Sequence, residues 1–252
     1  MPRGAKLALA AMAVRAERAQ RGAQSFGETI MELIIGPRRF STWSLRPWLV
    51  LKRCTDDFTV TELDFNTPQG RADMLAASPS GLVPVLKVDG ETIWDSMAIS
   101  VWCAERYPDA KLWPAEAHAR WLARSAACEM HGGFGALRTH CTMNLDHPMV
   151  GETRSPPPQG EAVAADIRRL VALWREMRGR FGRSGQDGGG DFLFGAWSVP
   201  DAFFTPVATR IRHYQIDLGL YGDEDGVATA YVAALLAQPD FLEWEAQALN
   251  RP

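Results

Sequence analysis

The spacing of apolar positions changes character along the chain. In the first half the apolar runs are short and separated by turn residues. Leu33-Ile34-Ile35, inside Glu32–Gly36, reads as a strand, and Phe58–Asp64 alternates as a second. Val85–Val88 and Glu91–Trp94 flank Asp89-Gly90, a strong two-residue hairpin signal. Helical spacing fills the gaps. A helix runs to about Cys54, and Pro47, best tolerated in a first turn, puts its start near Trp43 or Ser44. Pro68–Ala77 reads as a short, partly exposed helix. Asp95-Ser96 opens another, with Met97, Ile99, Val101, Trp102 and Tyr107 on a broad apolar face. The order is β-α-β-α-β-β-α.

After a linker at Pro108–Pro114 the pattern is helix and loop only. One long helix is expected from about Ala115 to Arg138. Ala127, His131, Phe134 and Arg138 then share a face, beside Met130. Gly132, Gly133 and Gly135 weaken that helix, which close approach of another segment or a ligand would explain. Residues 139–160 form a long loop ending in Ser155-Pro156-Pro157-Pro158, and such loops are often functional. A helix follows over Glu161–Phe181 with Ile167, Leu170, Val171 and Trp174 inward, then a glycine-rich turn to Gly190. No P-loop lysine follows those glycines, which excludes a nucleotide-binding reading of them. Ser198 and Asp201 form a capping-box pattern before an apolar helix. Helices near Val227–Ala237 and Pro239–Leu249 finish the chain.

Composition narrows the function classes. The 252 residues are 46% hydrophobic and 23% charged, as in globular proteins, and suffice for two ordinary domains. A net charge of −3 gives no global drive toward nucleic acid or anionic membranes. No stretch is long and apolar enough to read as a membrane span. Cys54, Cys103, Cys128 and Cys141 lack metal or CxxC spacing and read as separate thiols in a reducing, cytoplasmic setting. The five histidines are scattered, so no metal site is expected. Residues 1–30 are rich in Ala and Arg. They read as a poorly ordered or briefly helical extension. Leu7–Val14 between Lys6 and Arg15 leaves a leader open, and Met31 an alternative start.

Three places carry candidate chemistry. Val83-Pro84 heads a strand, where proline frees backbone groups of the preceding residue. Asp95-Ser96 puts an acceptor and a hydroxyl at a helix N-terminus, which also favours a bound carboxylate. Ser41, Thr42 and Ser44 surround another helix start, where free N–H groups and a hydroxyl favour a thiolate. Each also has a purely structural use, as a strand start or a helix cap.

Taken in order, Ser78-Pro79-Ser80-Gly81-Leu82-Val83-Pro84-Val85-Leu86, Asp89-Gly90 and Asp95-Ser96-Met97-Ala98-Ile99 resemble the glutathione-binding half of the glutathione S-transferase family. Ser41-Thr42-Trp43-Ser44-Leu45-Arg46 is similar to the serine-type motif of its zeta class, with Trp43 where that class carries cysteine. The resemblance spans roughly residues 31–250. It implies a thioredoxin-like α/β domain over 31–113 and an all-α domain over 114–252, after the extension at 1–30. It implies Ser41 as the catalytic hydroxyl and glutathione as co-substrate, with no metal. Thr42, Leu82, Val83, Pro84, Asp95 and Ser96 would line the glutathione site. Val83-Pro84 would be cis, Val83 pairing with the cysteinyl backbone and Asp95 and Ser96 holding the γ-glutamyl end. Leu82 departs from the usual Lys or Gln, leaving the glycyl carboxylate to Arg71 or Lys87. The long helix would wall the acceptor site, making His131, Phe134 and Arg138 the acceptor residues. The implied partners are a small hydrophobic electrophile and a second copy of the chain. The implied activity is glutathione transfer, the glutathione thiol being activated for attack on that electrophile. A maleylacetoacetate-type isomerase and a non-catalytic binding protein on the same fold are the rivals.

Overall fold

The structure is a computed structural model that describes residues 30–145, 160–182 and 190–250. The expectations for residues 1–29, for Ser155–Pro158 and for most of the glycine-rich turn lie outside these residues. The described chain divides into two units, one of residues 30–38 and 43–110, the other of residues 39–42 and 111–250.

In the first unit, Leu33, Ile34 and Ile35 are almost wholly buried because strand β1 (Met31–Ile35) has a neighbour on both sides. Helix α1 (Thr42–Cys54) leads to β2 (Thr59–Glu62), which pairs parallel to β1. Helix α2 (Pro68–Ala77) leads to β3 (Val85–Val88), which pairs antiparallel to β1, and β4 (Glu91–Ile93) returns along β3. The sheet order is β2-β1-β3-β4. Asp89 and Gly90 have φ of 51° and 82°, the paired positive values a two-residue hairpin needs. Helix α3 (Ser96–Arg106) closes a thioredoxin-like βαβαββα unit.

One expectation here is corrected. Helix α1 starts at Thr42, slightly earlier than Pro47 suggested, so the proline lies beyond the first turn. It leaves the Trp43 carbonyl without its helical donor. The Arg46 guanidinium packs 4.4 Å from the Trp43 ring centroid in the same turn.

The second unit is helical, and its first helix is not one helix. Helix α4 (Ala117–Gly132) stops, and a separate α5 (Gly135–His140) begins after a break. Gly133 caps α4 in an extended conformation, and Phe134 takes a left-handed φ of 56°. A Cβ on Gly133 would lie 2.6 Å from the Glu129 carbonyl oxygen, so the chain turns there because that residue has no side chain. Gly132 and Gly135 face open space, so close approach explains Gly133 alone.

Helix α6 (Gly160–Phe181) buries Ile167, Leu170, Val171 and Trp174 as expected. The core helix α7 (Val199–His213) is buried along almost its whole length, and its Ser198/Asp201 capping box is formed. Helices α8 (Val227–Leu236) and α9 (Pro239–Leu249) follow. None of the described helices is long and apolar enough to cross a membrane. This is the thioredoxin-like plus all-helical architecture that the resemblance implied.

Candidate functional site

Strand register gathers the first unit's candidates at one end of its sheet. Ile34 faces Val85 across β1 and β3, and Leu86 faces Ile93 across β3 and β4. Continuing those registers puts Val83 and Pro84 between the end of β1 and the Asp95-Ser96 start of α3. The Val83–Pro84 peptide is cis, as the resemblance implied, and so is Trp94–Asp95. The approach to Val83 is a closed turn. Gly81, at φ 67°, donates to the Ser78 carbonyl at 3.0 Å, and the Leu82 N–H donates to Ser78 Oγ at 3.2 Å.

At the helix start the two polar residues divide the work. Asp95 is the N-cap of α3, its carboxylate accepting from the Met97 N–H at 2.9 Å and the Ala98 N–H at 3.4 Å. Ser96 is 0% exposed, and its Oγ has no hydrogen-bond partner among the described residues. A buried hydroxyl without a partner is unfavourable by roughly 1–3 kcal/mol, so such groups call for a ligand or water.

The remaining candidates of this half behave differently. Leu82 is 65% exposed and offers a carboxylate only its backbone. Arg71 donates from Nε to the Phe65 carbonyl at 2.9 Å, and Lys87 lies within β3. Ser41, half-buried, directly precedes α1, and the Thr42 N–H donates back to the Phe40 carbonyl at 3.1 Å. Ser44, fully buried, accepts from the Gly36 N–H at 3.1 Å through Oγ, which gives it a structural use.

The break after α4 changes the second unit's candidates. His131 lies in the last turn of α4, Phe134 at the kink and Arg138 on α5, so they do not share one helix face. Arg138 turns back on the break. Its Nη1 donates to the His131 carbonyl at 3.2 Å and the Gly133 carbonyl at 3.3 Å, which satisfies acceptors exposed at a helix end. Burial lowers the pKa of its guanidinium below the ordinary value. The His131 ring packs 6.1 Å from that of Phe203, and Phe134 is buried.

Arg210 was not singled out by sequence reasoning. It is 3% exposed, and its Nε and Nη1 donate to the Cys141 and Pro206 carbonyls at 2.7 and 2.8 Å. Among the described residues it meets no carboxylate. Burial first, and then the Arg138 charge, press its pKa down to about 10. The Arg138 charge thus lies close enough to Arg210 to disfavour its cationic form. The available signal was an arginine among Val207, Ala208 and Ile211 in an otherwise apolar helix.

Among the described residues no group of three or more His, Cys, Asp or Glu side chains could hold an ion. The four cysteines are free. Cys103 hydrogen-bonds to Cys54, and burial, then that contact, pushes the Cys103 thiol pKa well up. Such a thiol is inert rather than nucleophilic.

Comparison with known proteins is consistent with this geometry. Residues 40–106 match the family model for the glutathione S-transferase N-terminal domain. A zeta-class glutathione S-transferase of Euphorbia esula is 30% identical over 149 residues, 58% of this chain and 61% of that protein. A probable maleylacetoacetate isomerase of Caenorhabditis elegans is 31% identical over 108 residues, 43% of this chain and 50% of that protein. The matched segments thus cover less than two thirds of those relatives' own lengths. A sphingomonad glutathione S-transferase complexed with glutathione superposes with a TM-score of 0.61 at 25% identity, covering 87% of this chain and all of that one. These likenesses support reading the chain as a glutathione S-transferase family member, zeta-like, with residues 40–106 matching that family's N-terminal domain.

Proposed function

We propose that this chain binds glutathione and activates its thiol for attack on a small hydrophobic electrophile. One observation carries most of the reading. Ser96 Oγ is buried without a partner at a helix start whose cap is already supplied by Asp95. A γ-glutamyl carboxylate fits that hydroxyl at the positive end of the helix. Val83 offers its main chain to the cysteinyl amide. Asp95, exposed at its cap, offers an anion to the γ-glutamyl ammonium. The sphingomonad relative with bound glutathione supports the same ligand.

Ser41 is the thiol activator in this reading. Its hydroxyl donates a hydrogen bond to the sulfur, favouring the thiolate, with Thr42 beside it. A free thiol of pKa near 8.5 is only a few per cent ionised at neutral pH, so stabilising the anion raises the reactive fraction. The sulfur's electron pair then forms the bond to the acceptor carbon, and the leaving group departs with its own. His131, Phe134 and Arg138 are proposed to contact the acceptor. The proposed domain division is 31–113 and 114–252. A homodimer is proposed through the first unit, which exposes Leu75, Trp94 and Val101. The proposed setting is the cytoplasm.

Calorimetric titration with glutathione, followed by ultraviolet thiolate absorbance, tests the core of this. Binding with a thiolate band at neutral pH is the expected result. No binding at millimolar ligand favours a non-catalytic protein on this fold.

A second reading has its own observation. The buried Arg210 beside Arg138 suits an acidic substrate, and one relative is named a probable maleylacetoacetate isomerase. A glutathione-dependent cis–trans isomerase needs carboxylate recognition that a transferase of neutral electrophiles does not. Trp43 in the zeta-class cysteine position weighs against it. Assaying maleylacetoacetate isomerisation against conjugation of a neutral aryl halide separates the two.

A further inference from the structure

The chain between β1 and α1 is tied down at two points. Gly36 is held to α1 through Ser44 Oγ. Arg38 is held to β2, where Glu62 Oε1 accepts from the Arg38 N–H at 3.2 Å and Glu62 Oε2 pairs with the Arg38 guanidinium. Both side chains are about nine-tenths buried. The ladder below the pair is intact, since Ile35 faces Glu62 and the Leu63 N–H donates to the Ile35 carbonyl at 2.9 Å.

A buried ion pair is an inefficient way to add stability, because desolvation offsets much of the attraction. A carboxylate that takes both the backbone N–H and a guanidinium N–H of one residue, one on each oxygen, fixes that residue's position closely. From Arg38 the chain reaches Ser41 through Arg39 and Phe40 alone. We infer that the Arg38–Glu62 pair is a positioning device for Ser41, holding the strand end from which the loop bearing that hydroxyl departs. It acts on the bound thiol only through Ser41 and touches no substrate. The inference rests on the proposed activation of glutathione by Ser41. Small misplacement of a reacting group is enough to be felt, about a hundredfold in rate for 1 Å.

Glu62→Gln and Arg38→Lys in the full chain test this. The first removes the anion and keeps the shape. The second keeps the charge and replaces the guanidinium with a flexible ammonium. Glutathione affinity, thiolate absorbance against pH and kcat against pH with an aryl halide are measured, with melting curves for both variants. The expected result is folded protein with glutathione affinity within about threefold of the parent, a bound-thiol pKa raised by about one unit, and kcat down about tenfold at neutral pH but converging on the parent at high pH. Folded variants with the parental thiol pKa and pH profile overturn the inference. A loss confined to glutathione affinity overturns it as well. If Glu62→Gln does not fold, Arg38→Lys decides by the same readouts, and failure of both to fold makes the pair structural and ends the proposal. A parent chain with no thiolate band defeats the activation of glutathione and the positioning role together. A parental band with unchanged variants defeats the positioning role alone.

Discussion

Tyr231 donates its phenolic hydrogen to Asp201 Oδ1 across 2.7 Å, and both side chains are sealed from solvent. The same carboxylate accepts from the Ser198 N–H at 2.8 Å, the Ser198 hydroxyl at 3.1 Å and the Leu193 N–H at 3.3 Å. Burial nonetheless outweighs these bonds and raises the Asp201 pKa to about 6. Burial, then the Asp201 charge, drives the Tyr231 pKa well above its ordinary value. A cap that begins as a local sequence pattern thus becomes the junction of α7, α8 and the segment before α7.

The pH dependence follows with a definite sign. Between the ordinary aspartate pKa near 4 and its folded value of about 6, the native state keeps a proton that the unfolded chain releases. Asp201's contribution is therefore greatest below pH 4, declines as pH rises to about 6, and is level above that. In Asp201→Asn, only one of the two oxygens remains an acceptor. The variant is expected to be less stable at pH 7 by about 1–3 kcal/mol, with a larger deficit at pH 4. Urea unfolding of both proteins at several pH values measures this, and a deficit that grows from pH 4 to 7 contradicts the assigned shift.

Gly133 and Gly132 are adjacent and should respond oppositely to a methyl group. Gly133→Ala forces a Cβ against the Glu129 carbonyl and is expected to destabilise by about 1–3 kcal/mol. Gly132→Ala meets open space at the end of α4 and should be neutral or stabilise by up to about 1 kcal/mol. Thermal melts of the two variants compare them directly. Equal effects would mean that the break after α4 is not set by that carbonyl.

Ser96→Ala removes the unpartnered buried hydroxyl. Glutathione affinity is expected to fall about tenfold or more, the worth of a hydrogen bond to a charged group. Unfolding stability should change little or improve, since the hydroxyl has no described partner to lose. Calorimetry and urea unfolding on one preparation separate the two, and unchanged affinity removes Ser96 from the γ-glutamyl site.

Ser41→Ala is expected to lower kcat about a hundredfold and leave glutathione affinity within a few-fold, because the hydroxyl acts on the charge that develops at sulfur. A full parental rate would shift the activating role to Thr42 or to the backbone at the start of α1.

Arg138→Gln tests the acceptor. If acidic compounds are the substrates, their KM should rise about tenfold or more while KM for a neutral aryl halide stays put. An equal change for both would confine Arg138 to capping the break after α4.

Much of the first unit was legible locally. Asp89-Gly90 needs two positive φ values, Val83-Pro84 heads a strand, and Asp95 caps the helix it precedes, all within a few residues of chain. The inward faces of α6 and the Ser198/Asp201 box were legible for the same reason, since helical period and capping are short-range. The single helix expected over 115–138 was not, because periodicity cannot register that Gly133 meets a carbonyl and that Arg138 folds back to serve two more. The partners of Arg210 and the Arg38–Glu62 pair were invisible as well, since these contacts join residues 69 and 24 positions apart in sequence. The sequence by itself determined the order of elements, their caps and the family pattern, because propensities, turns and caps act over one or two turns of chain. The tertiary structure alone decided which polar groups are buried, which of them lack partners and which carboxylate holds a proton at pH 5, because desolvation depends on segments that approach from far along the chain.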